Sequence, residues 1–497
     1  MRVVLAGYNI DSNVLEEARG AGISPDRLTP EVLCAAYARI SRDPRPVGEL
    51  RRESLEQVEK ARKSNRTIIF GMGHHSVAEH AVFNFDLLGI SRLAIEALEH
   101  FRLCSFTEKS QRYITLDHDF VLPDEIRNTP FEAVLCEIVA EQSELYKKFN
   151  HALLERLEER HPDLTTKKSG RRLLSGWAKE DARYATILAT NGQLGFTANA
   201  RNLELIIRRM AASPLAELRE LGELLHERAT AIAPSLLLFT KASSFDLETA
   251  AELKDLANQI LVEEVSATGE EDPVRLVESP GNPDEIIAAA LLAKASGRSF
   301  EACRAAASNL NREKLAGLFE AAMRRMEFFD SPGREFEHVS LTFELTVCAA
   351  CYAQLKRHRM TTQSVCAYDP NLGLTVPPSI IECGFEDDLR KFADRTEAVF
   401  HDLVATNPGA APYVLTNSHR RRVLMTTNLR DLYHFARLRE DSHAQWDIRD
   451  LATRIGQEVT RVMPLGALLL CGKDHFVERF ENVFGRKPQI DPSDLDP

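Results

Sequence analysis

The sequence predicts an α/β protein of the α+β type, in which two tandem copies of one domain each form a mixed sheet with helices. The stretch that starts at Gly73 is matched by a second stretch that starts at Gly333. Both stretches run from a Glu-His pair through an alternating strand into a helix that ends in a basic cluster. A repeat of this length indicates that the whole chain is built from two copies of one domain.

Alternation of apolar and polar residues predicts the central strand of each copy. In the first copy the apolar positions are Phe83, Phe85 and Leu87. In the second copy the apolar positions are Val339, Leu341, Phe343 and Leu345. A period of two is typical of a strand that buries one face. Each of these strands should lead into a buried helix.

An Asn-x-Arg sequence opens an amphipathic helix later in each copy, at Asn199 and at Asn428. Asn199 and Asn428 are 229 positions apart in the sequence. Glu79 and Glu337, in the Glu-His pairs, are 258 positions apart. The first copy therefore carries 29 extra residues between these landmarks. We expect an inserted helical segment near residues 130–165.

The domain boundaries follow from the repeat and from composition. We expect a first domain over residues 1–250, a linker over 251–273 with an acidic Ser/Thr/Gly/Pro segment, and a second domain over 274–497. The net charge of −12 argues against a general nucleic-acid binder, because polyanion binding needs a basic surface. No stretch approaches the roughly 20 apolar residues that span a bilayer, and no signal peptide is evident, so we expect a cytoplasmic protein without membrane partners.

The helix of the second copy ends in a cluster that can bind an anion. Gln354, Arg357 and His358 are spaced i, i+3 and i+4, which predicts one shared helical face, and Arg359 stands beside them. The alternative is a solvated basic helix end that is stabilised by the helix dipole. The equivalent segment of the first copy helps to decide between an anion site and a solvated helix end.

Each copy keeps one half of a longer pattern. The first copy reads His100-Phe101-Arg102 at the basic cluster, but it then keeps Ser105, Glu108, Ser110, Arg112 and Tyr113. The second copy keeps Arg357-His358-Arg359 and then reads Thr362, Val365, Ala367 and Asp369. Together the two halves resemble the signature of the flavin-dependent thymidylate synthases: Arg-His-Arg, two residues, Ser, two residues, Glu-x-Ser-x-Arg-Tyr.

Other landmarks of that family extend the resemblance over most of the chain. Ala38 to Ser41 and Gly73 to His80 are similar to two early family elements, and both are degraded in the second copy. Arg183 matches a family arginine whose place is taken by Pro412 in the second copy. The late element from Leu438 to Ile448 is nearly complete. Its arginine and histidine, Arg439 and His443, are replaced by Met210 and Pro214 in the first copy.

The losses are complementary between the copies. In the family, each site combines residues from different subunits, so the resemblance implies one composite site and one dead mirror site. The alternative, a duplication that decayed into a scaffold, predicts losses that ignore the half-sites. The implied nucleotide-binding residues are Gln354, Arg357, Glu108, Ser110, Arg112 and Arg183. Guanidinium groups suit a phosphate because they bind its oxygens in a bidentate way.

The resemblance also implies a cofactor and a catalytic residue. FAD would be bound by Ser41, Ser76, Glu79, Asn199, Arg201, Arg357, His358, Arg359, His434 and His443. Asn428 and Arg430 remain alternatives to Asn199 and Arg201. Arg439 is the implied catalytic residue, because an arginine favours ionisation at N3 of the pyrimidine in this family. No metal is expected: His74, His75, Glu79 and His80 form one short segment without a distant ligand.

The resemblance implies methylation of C5 of dUMP, with methylenetetrahydrofolate and NADPH as co-substrates. Two alternatives stay open, namely an enzyme for another pyrimidine nucleotide and a non-catalytic flavin- or nucleotide-binding protein. His434 stands where the family usually has Asn, which leaves room for another substrate. Because the family assembles four domains, two chains of this protein should form a homodimer.

Overall fold

The computed structural model of the chain describes residues 1–18, 27–112, 114, 116, 119–261 and 272–490. The chain divides into two compact units. Unit 1 comprises Met1–Ser266 and Pro377–Asn417, and unit 2 comprises Ala267–Val376 and Ser418–Pro497. The second repeat therefore contributes one internal segment to unit 1.

Each unit contains one four-stranded sheet. The strands of unit 1 are β1 Arg2–Tyr8, β2 Val82–Ser91, β3 Cys104–Glu108 and β4 Asn191–Asn199, in the order β1-β2-β4-β3. The strands of unit 2 are β5 Val274–Glu278, β6 Ser340–Cys348, β7 Thr362–Val365 and β8 Arg420–Asn428, in the order β5-β6-β8-β7. The predicted fold class of two repeated α+β domains is confirmed. Every pairing between these strands is antiparallel, so neither sheet mixes strand directions.

Helices supply most of the remaining structure. Those of unit 1 before the second repeat are α1 Ser12–Ala18, α2 Glu31–Arg39, α3 Val47–Glu56, α4 Val58–Asn65, α5 Arg92–Glu99, α6 Pro130–Arg160, α7 Pro162–Thr165, α8 Lys168–Ala182, α9 Ala200–Ala211, α10 Ala216–Thr230, α11 Ser244–Leu247 and α12 Thr249–Ile260. Those that follow are α13 Pro283–Ser296, α14 Phe300–Ser308, α15 Arg312–Met323, α16 Ala349–Leu355, α17 Pro378–Glu382, α18 Glu386–Thr406, α19 Leu429–Arg439, α20 Trp446–Val462 and α21 Phe476–Phe484. Of these, α17 and α18 belong to unit 1. No helix among the described residues is both long and apolar enough to cross a bilayer.

The central strands match the alternation in the sequence. Phe83, Phe85 and Leu87 point into the core of unit 1 and are at most 1% exposed. Phe85 pairs with Phe196 on the neighbouring strand, and their rings stack at 5.9 Å between centroids. In unit 2 the buried positions Leu341, Phe343 and Leu345 lie on β6, and Val339 immediately precedes that strand. The predicted strands are confirmed in both copies.

The same local signals begin equivalent helices in both units. Asn199 caps α9 by accepting the backbone N–H of Asn202 at 3.0 Å. Asn428 caps α19 by accepting the backbone N–H of Asp431 at 2.9 Å. An asparagine side chain at this position satisfies a backbone donor that the first turn of a helix leaves unpaired. The Asn-x-Arg sequences thus begin helices in both copies, as predicted.

The segment Pro377–Asn417 packs on the long helix α6 in unit 1. Phe149 stacks on Phe385 with 5.4 Å between ring centroids, and Arg395 bridges to Glu137 and Glu141. Lys148 also binds Asp388 at 2.6 Å. These contacts join helices that are far apart in the sequence.

Backbone hydrogen bonds attach the end of this segment to the first repeat. Leu188 N donates to Leu415 O at 2.8 Å, and Ala189 N donates to Tyr413 O at 2.9 Å. Asn417 N donates in turn to Thr186 O at 2.8 Å. The pairing resembles a short antiparallel ladder, and nearly all of its residues are fully buried.

The predicted domain boundaries and the compact units therefore differ at two places. The predicted second domain ran continuously from residue 274 to 497, whereas Pro377–Asn417 groups with the first repeat because of the contacts above. The predicted linker began at residue 251, but α12 continues through Ile260. Residues 262–271, which include most of the acidic segment, lie outside the described residues. Helices α6 and α7 occupy the segment in which we expected an insertion.

A buried carboxylate further ties the segment to the first repeat. Glu217 of α10 accepts hydrogen bonds from Ser91 N and Ser91 Oγ, both at 2.6 Å, and from Tyr413 OH at 2.7 Å. Burial raises the pKa of Glu217, and these donors counteract the shift. Unit 2 repeats part of the arrangement, because Cys348 Sγ lies 3.0 Å from Asp447 Oδ2.

We expect Tyr413→Phe to lower the free energy of unfolding. The substitution removes one of the donors to a buried carboxylate, which costs about 1–3 kcal/mol. Urea unfolding at neutral pH measures the loss. Tyr37→Phe is the matched control, since the Tyr37 ring packs on His80 away from the carboxylate, and it should change stability by less than about 0.5 kcal/mol. Equal effects of the two substitutions would contradict a stabilising role for the Tyr413 hydroxyl.

Candidate functional site

The first half-site lies in unit 1, where the chain leaves β3 and where α8 ends. We define it as Ser110, Gln111, Arg112, Glu180, Arg183 and Asn417. Arg112 Nη2 binds Glu180 Oε2 at 3.1 Å, and Arg112 N donates to Ser110 Oγ at 3.1 Å. Arg183 immediately follows the last residue of α8, and its Nε donates to Glu180 O at 3.2 Å. The structure thus brings Ser110, Arg112 and Arg183 together around one glutamate.

Arg183 is a buried cation with an unused donor. Its residue is 5% exposed, and its buried Nη2 has no hydrogen-bond partner among the described residues. A buried guanidinium is costly unless its donors and its charge are compensated. Arg183 Nη2 can therefore donate to an anionic group of a ligand. Glu108, another residue predicted at this site, is the last residue of β3, while Tyr113 lies outside the described residues.

Asn417 completes the first half-site from the second repeat. Its Nδ2 donates to Gln111 Oε1 at 3.2 Å, to Arg183 O at 3.0 Å and to Thr186 Oγ1 at 2.8 Å. This amide fixes the turn that carries Arg183. Asn417 and Glu180 were not predicted from the sequence, because the side chains and carbonyls that they bind come from distant parts of the chain.

The second half-site lies in unit 2, between the end of α16 and the end of α19. We define it as Gln354, His358, His434, Arg439 and Gln445. Arg439 Nε donates to His358 Nε2 at 2.8 Å, and Arg439 Nη2 donates to Gln354 O at 3.3 Å. The His358 ring also packs edge-on against Phe435, with 4.6 Å between centroids. The structure therefore joins three of the residues predicted from the sequence.

The contact with Arg439 fixes the protonation state of His358. An arginine Nε carries a hydrogen and can only donate, so His358 Nε2 must be the bare acceptor nitrogen. Burial lowers the pKa of His358 well below its usual value, and the nearby Arg439 and His434 lower it further. His358 is thus a neutral imidazole at physiological pH, with its proton on Nδ1.

Gln354 presents an unused acceptor in the same half-site. It is 6% exposed, and its Nε2 donates to Gln445 Oε1 at 3.3 Å. Its Oε1 is buried without a hydrogen-bond partner among the described residues. An amide oriented in this way can accept a hydrogen bond from a polar ligand. Gln445 was missed as a site residue, although it stands inside the late motif.

The predicted shared helical face is wrong in one respect. Helix α16 ends at Leu355, so Arg357 and His358 lie in the turn that follows rather than on the helix. The turn buries His358 and leaves Arg357 and Arg359 exposed. Arg357 Nε donates back to Ala353 O at 3.3 Å. The three residues therefore have different environments despite their helical spacing.

The residues of the first repeat that are predicted to bind flavin show fewer contacts with one another than the residues of the two half-sites do. Ser41 and Ser76 are exposed in unit 1. Glu79 forms an ion pair with Arg201 at 2.5 Å. The second repeat contains the same pair, because Arg430 binds Glu337 at 3.1 Å. Because this contact occurs in both copies, it does not distinguish the two Asn-x-Arg sequences as cofactor sites.

His443 is an exposed side chain held by a carboxylate. Its side chain is 88% exposed, and Nδ1 lies 2.7 Å from Asp441 Oδ1. Asp474 is close to both, since one ligand atom from each residue lies within 4.8 Å of the others. His434 is also exposed as a residue, although part of its ring is buried. This partial burial lowers the pKa of His434, and the positive charge of Arg437 lowers it further.

Comparison with known proteins agrees with the duplicated fold. A sequence model described as "Thymidylate synthase complementing protein" matches residues 26–235 and again residues 275–465. Together these two matches cover most of the chain. The chain belongs to this family. The two matches confirm that the family domain occurs twice in tandem.

Two kinds of relatives in the thymidylate synthase complementing protein family are similar to this chain. A "UPF0159 protein" of Thermoplasma acidophilum is 24% identical over 91% of this chain and 96% of its own length, and one of Chlamydia muridarum is 24% identical over 87% and 84%. A "Flavin-dependent thymidylate synthase" of Pyrococcus abyssi is 33% identical over 31% of this chain and 56% of its own length. One of Clostridium tetani is 29% identical over 43% and 83%. The UPF0159 relatives match over nearly the whole chain, whereas the named synthases match under half of it.

A perturbed carboxyl group lies directly beside Arg439. Burial raises the pKa of Glu440 to about 7, although the Gly472 backbone N–H and the charge of Arg479 act in the opposite direction. A carboxyl group whose pKa is raised in the folded state contributes stability at low pH. That contribution is fully present below about pH 4.5, the ordinary value, and is lost as the pH rises through about 7.

Glu440→Gln should therefore stabilise the protein at pH 8 and have little effect at pH 4.5. The amide keeps an acceptor for the Gly472 N–H and carries no charge, so the gain at pH 8 is at most about 3 kcal/mol. Thermal melts of the variant and the wild type at both pH values measure it. Glu458→Gln on the surface of α20 is the matched control and should change the melting temperature little at either pH value. A destabilised Glu440→Gln protein at pH 8 would show that the charged form is preferred.

Proposed function

We propose that this protein is a flavin-dependent thymidylate synthase-like enzyme that methylates C5 of dUMP. Methylenetetrahydrofolate would supply the carbon unit, and NADPH would supply the electrons. FAD would be the cofactor, and the protein would act in the cytoplasm. The observation that carries the proposal is the complementary survival of the two half-sites. Ser110, Arg112 and Arg183 survive only in the first repeat, whereas His358 and Arg439 survive only in the second. We propose that one site uses both.

The first half-site has the chemistry for a nucleotide phosphate. Arg183 offers a buried donor that has no partner among the described residues, and Arg112 and the Ser110 hydroxyl lie together on one turn. A phosphate can accept from all three groups and can balance the buried charge of Arg183. Glu108, at the adjoining end of β3, is proposed to contact the nucleotide sugar or base.

The second half-site has the chemistry for a pyrimidine. Oε1 of Gln354, which has no partner within the described part of the chain, can accept a hydrogen bond, and Arg439 brings a positive charge beside it. A cation near N3 lowers the cost of removing the N3 proton, because it stabilises the anion that results. That anion makes C5 more nucleophilic. We propose this role for Arg439, with Arg357 as a further nucleotide contact.

The donor set is also compatible with a flavin dinucleotide. The exposed guanidinium groups of Arg357 and Arg359 suit its diphosphate. Further proposed contacts are Ser41, Ser76, Glu79, Asn199, Arg201, His358, His434 and His443. When bound, a reduced flavin supplies the hydride and carries the one-carbon unit, which no side chain can do. The protein residues would then bind and orient the reactants.

One observation favours a second candidate, an enzyme for a different pyrimidine nucleotide. His434 replaces the usual family Asn in the second half-site, and its ring lies 6.0 Å from that of His358. A larger and titratable side chain at this position can alter which base or sugar is accepted. The UPF0159 relatives, which span the full duplicated length, are consistent with a separate branch of the family.

Purified protein tests the proposal in two steps. A bound-flavin absorbance spectrum is expected, and its absence after reconstitution with FAD would favour a non-catalytic protein. Conversion of dUMP to dTMP with methylenetetrahydrofolate and NADPH should then be observed. Rescue of a thymidine auxotroph tests substrate and reaction together. A flavoprotein that is inactive on dUMP but active on another pyrimidine nucleotide would support the second candidate.

Arg183→Ala and Arg439→Ala should each abolish most of the activity. Removing one arginine from a desolvated ligand contact costs roughly 2–5 kcal/mol, which corresponds to a rate loss of about 30-fold to several thousand-fold. Arg183→Ala should mainly raise KM for dUMP, whereas Arg439→Ala should also lower kcat. Steady-state kinetics distinguish these effects.

Arg461→Ala is the matched control for both substitutions. Arg461 is an exposed residue of α20 that binds Glu458 at 2.6 Å. Its loss should leave both kinetic constants unchanged. Full activity of Arg183→Ala combined with inactivity of Arg439→Ala would contradict a site that uses both half-sites. Pro412→Arg alone should not create a second activity, since Val365, Ala367 and Asp369 remain changed in that copy.

We expect a homodimer with one flavin per chain. Two chains contain four family domains, and only one composite site per chain keeps its residues. Light scattering should give about twice the chain mass of 55.8 kDa. Flavin release followed by absorbance gives the stoichiometry. Two flavins per chain would mean that the mirror site also binds cofactor.

A further inference from the structure

We infer that His358 is a positioning residue for Arg439, and that its unprotonated Nε2 holds the guanidinium in the orientation that the reaction requires. The inference rests on the proposed function, in which Arg439 assists ionisation of the pyrimidine. The role is separate from any contact that His358 makes with the cofactor, because it acts through a bond between two side chains of the protein.

Two of the groups that Arg439 contacts are acceptors that orient its guanidinium. His358 Nε2 accepts from Nε at 2.8 Å, and Gln354 O accepts from Nη2 at 3.3 Å. Nε and Nη2 belong to one edge of the planar guanidinium, so contacts to both fix the plane as well as the position. A 1 Å displacement of a catalytic group can cost about 100-fold in rate, which makes such anchoring important.

The surroundings of His358 keep it in the accepting state. Helix α19 places Arg439 and the titratable His434 against it, and its own segment adds Lys356, Arg357 and Arg359. All of these groups are cations or become cations on protonation. Protonated His358 would add a buried charge to this group and would turn the acceptor into a donor that opposes Arg439 Nε–H.

The internal repeat provides an independent comparison. Phe101 occupies the place of His358 in the first copy, and Met210 occupies the place of Arg439. Phe101 packs against the core of unit 1, and Met210 is 3% exposed within it. The copy that lost the arginine thus also lost the imidazole, and both were replaced by apolar residues. That pattern is expected of two residues that function as a pair, because a buried imidazole that loses its donor keeps a polar nitrogen without a hydrogen bond.

Two substitutions at His358 separate positioning from packing. His358→Phe installs the residue of the first copy, which keeps a ring but removes the acceptor. His358→Gln places an amide oxygen close to the position of Nε2, so it keeps an acceptor there. We expect the Phe variant to lose about 30-fold to 300-fold in kcat with KM for dUMP changed less than about threefold, and the Gln variant to stay within about fivefold of wild type. His475→Gln, an exposed histidine of unit 2, is the control and should be unchanged.

A spectroscopic measurement tests the contact without activity. In protein labelled with [15N]histidine, the signal assigned to His358 from the His358→Gln spectrum should show a proton on Nδ1 and a bare, hydrogen-bonded Nε2 at pH 7. Arg439→Met, the residue of the first copy, should shift the Nε2 signal, and Arg461→Met should leave it in place.

The two measurements separate failure of the inference from failure of the proposed function. An unperturbed Nε2 signal in Arg439→Met, or a protonated Nε2 at pH 7, would overturn the inference whether or not the protein acts on dUMP. So would an active enzyme in which His358→Phe keeps the wild-type kcat. If the wild type does not methylate dUMP but the expected signals appear, the proposed function fails and the pairing of His358 with Arg439 stands.

Discussion

The short backbone ladder between residues 186–189 and 413–417 is the constraint on which unit 1 depends. One strand of the ladder comes from each repeat, and nearly all of its residues are fully buried. Buried amides that lost these partners would cost several kilocalories per mole in total, about 1–3 kcal/mol each. The first repeat therefore needs a segment of the second to satisfy its own backbone. A cut of the chain at the sequence linker would not yield two complete domains.

The short turns at Arg183 and Pro412 explain how a proline can replace the arginine without loss of the fold. Arg183 begins a short turn in which Thr186 N donates to its carbonyl at 3.0 Å. Pro412 begins the equivalent turn, in which Leu415 N donates to its carbonyl at 3.2 Å. Proline fits the start of a helical turn because no N–H is needed there. Replacement of arginine by proline thus keeps the structure and removes only the guanidinium.

Sequence patterns were sufficient for features that depend on local periodicity. The strands around Phe85 and Phe343, and the helices that begin at Asn199 and Asn428, follow from alternation and capping, which act over a few residues. The grouping of Pro377–Asn417 with unit 1 could not be predicted, because this segment contacts residues of α6 that lie more than 200 positions away in the sequence. The end of α16 before His358 was missed because helical spacing continues in the sequence after the helix has stopped.

The same division applies to the site residues. Motifs identified Arg183, His358 and Arg439, since each matches a family position. They did not identify Asn417 or Glu180, whose function is to orient Arg183 and Arg112 and whose relation to them arises only from packing. A motif records residue types at fixed spacings along the sequence. The supporting contacts become visible only when distant segments are brought together.

The partners of the arginines differ in charge. Arg201 and Arg430 occupy equivalent places in the two repeats, and each binds a carboxylate that cancels its charge. Arg183 is instead oriented through its Nε by the backbone carbonyl of Glu180, whose carboxylate is bonded to Arg112. A neutral acceptor orients a guanidinium without neutralising it, so the charge remains available for an anionic ligand. The contact from Arg439 to His358 likewise uses a neutral acceptor, the bare Nε2 of the ring.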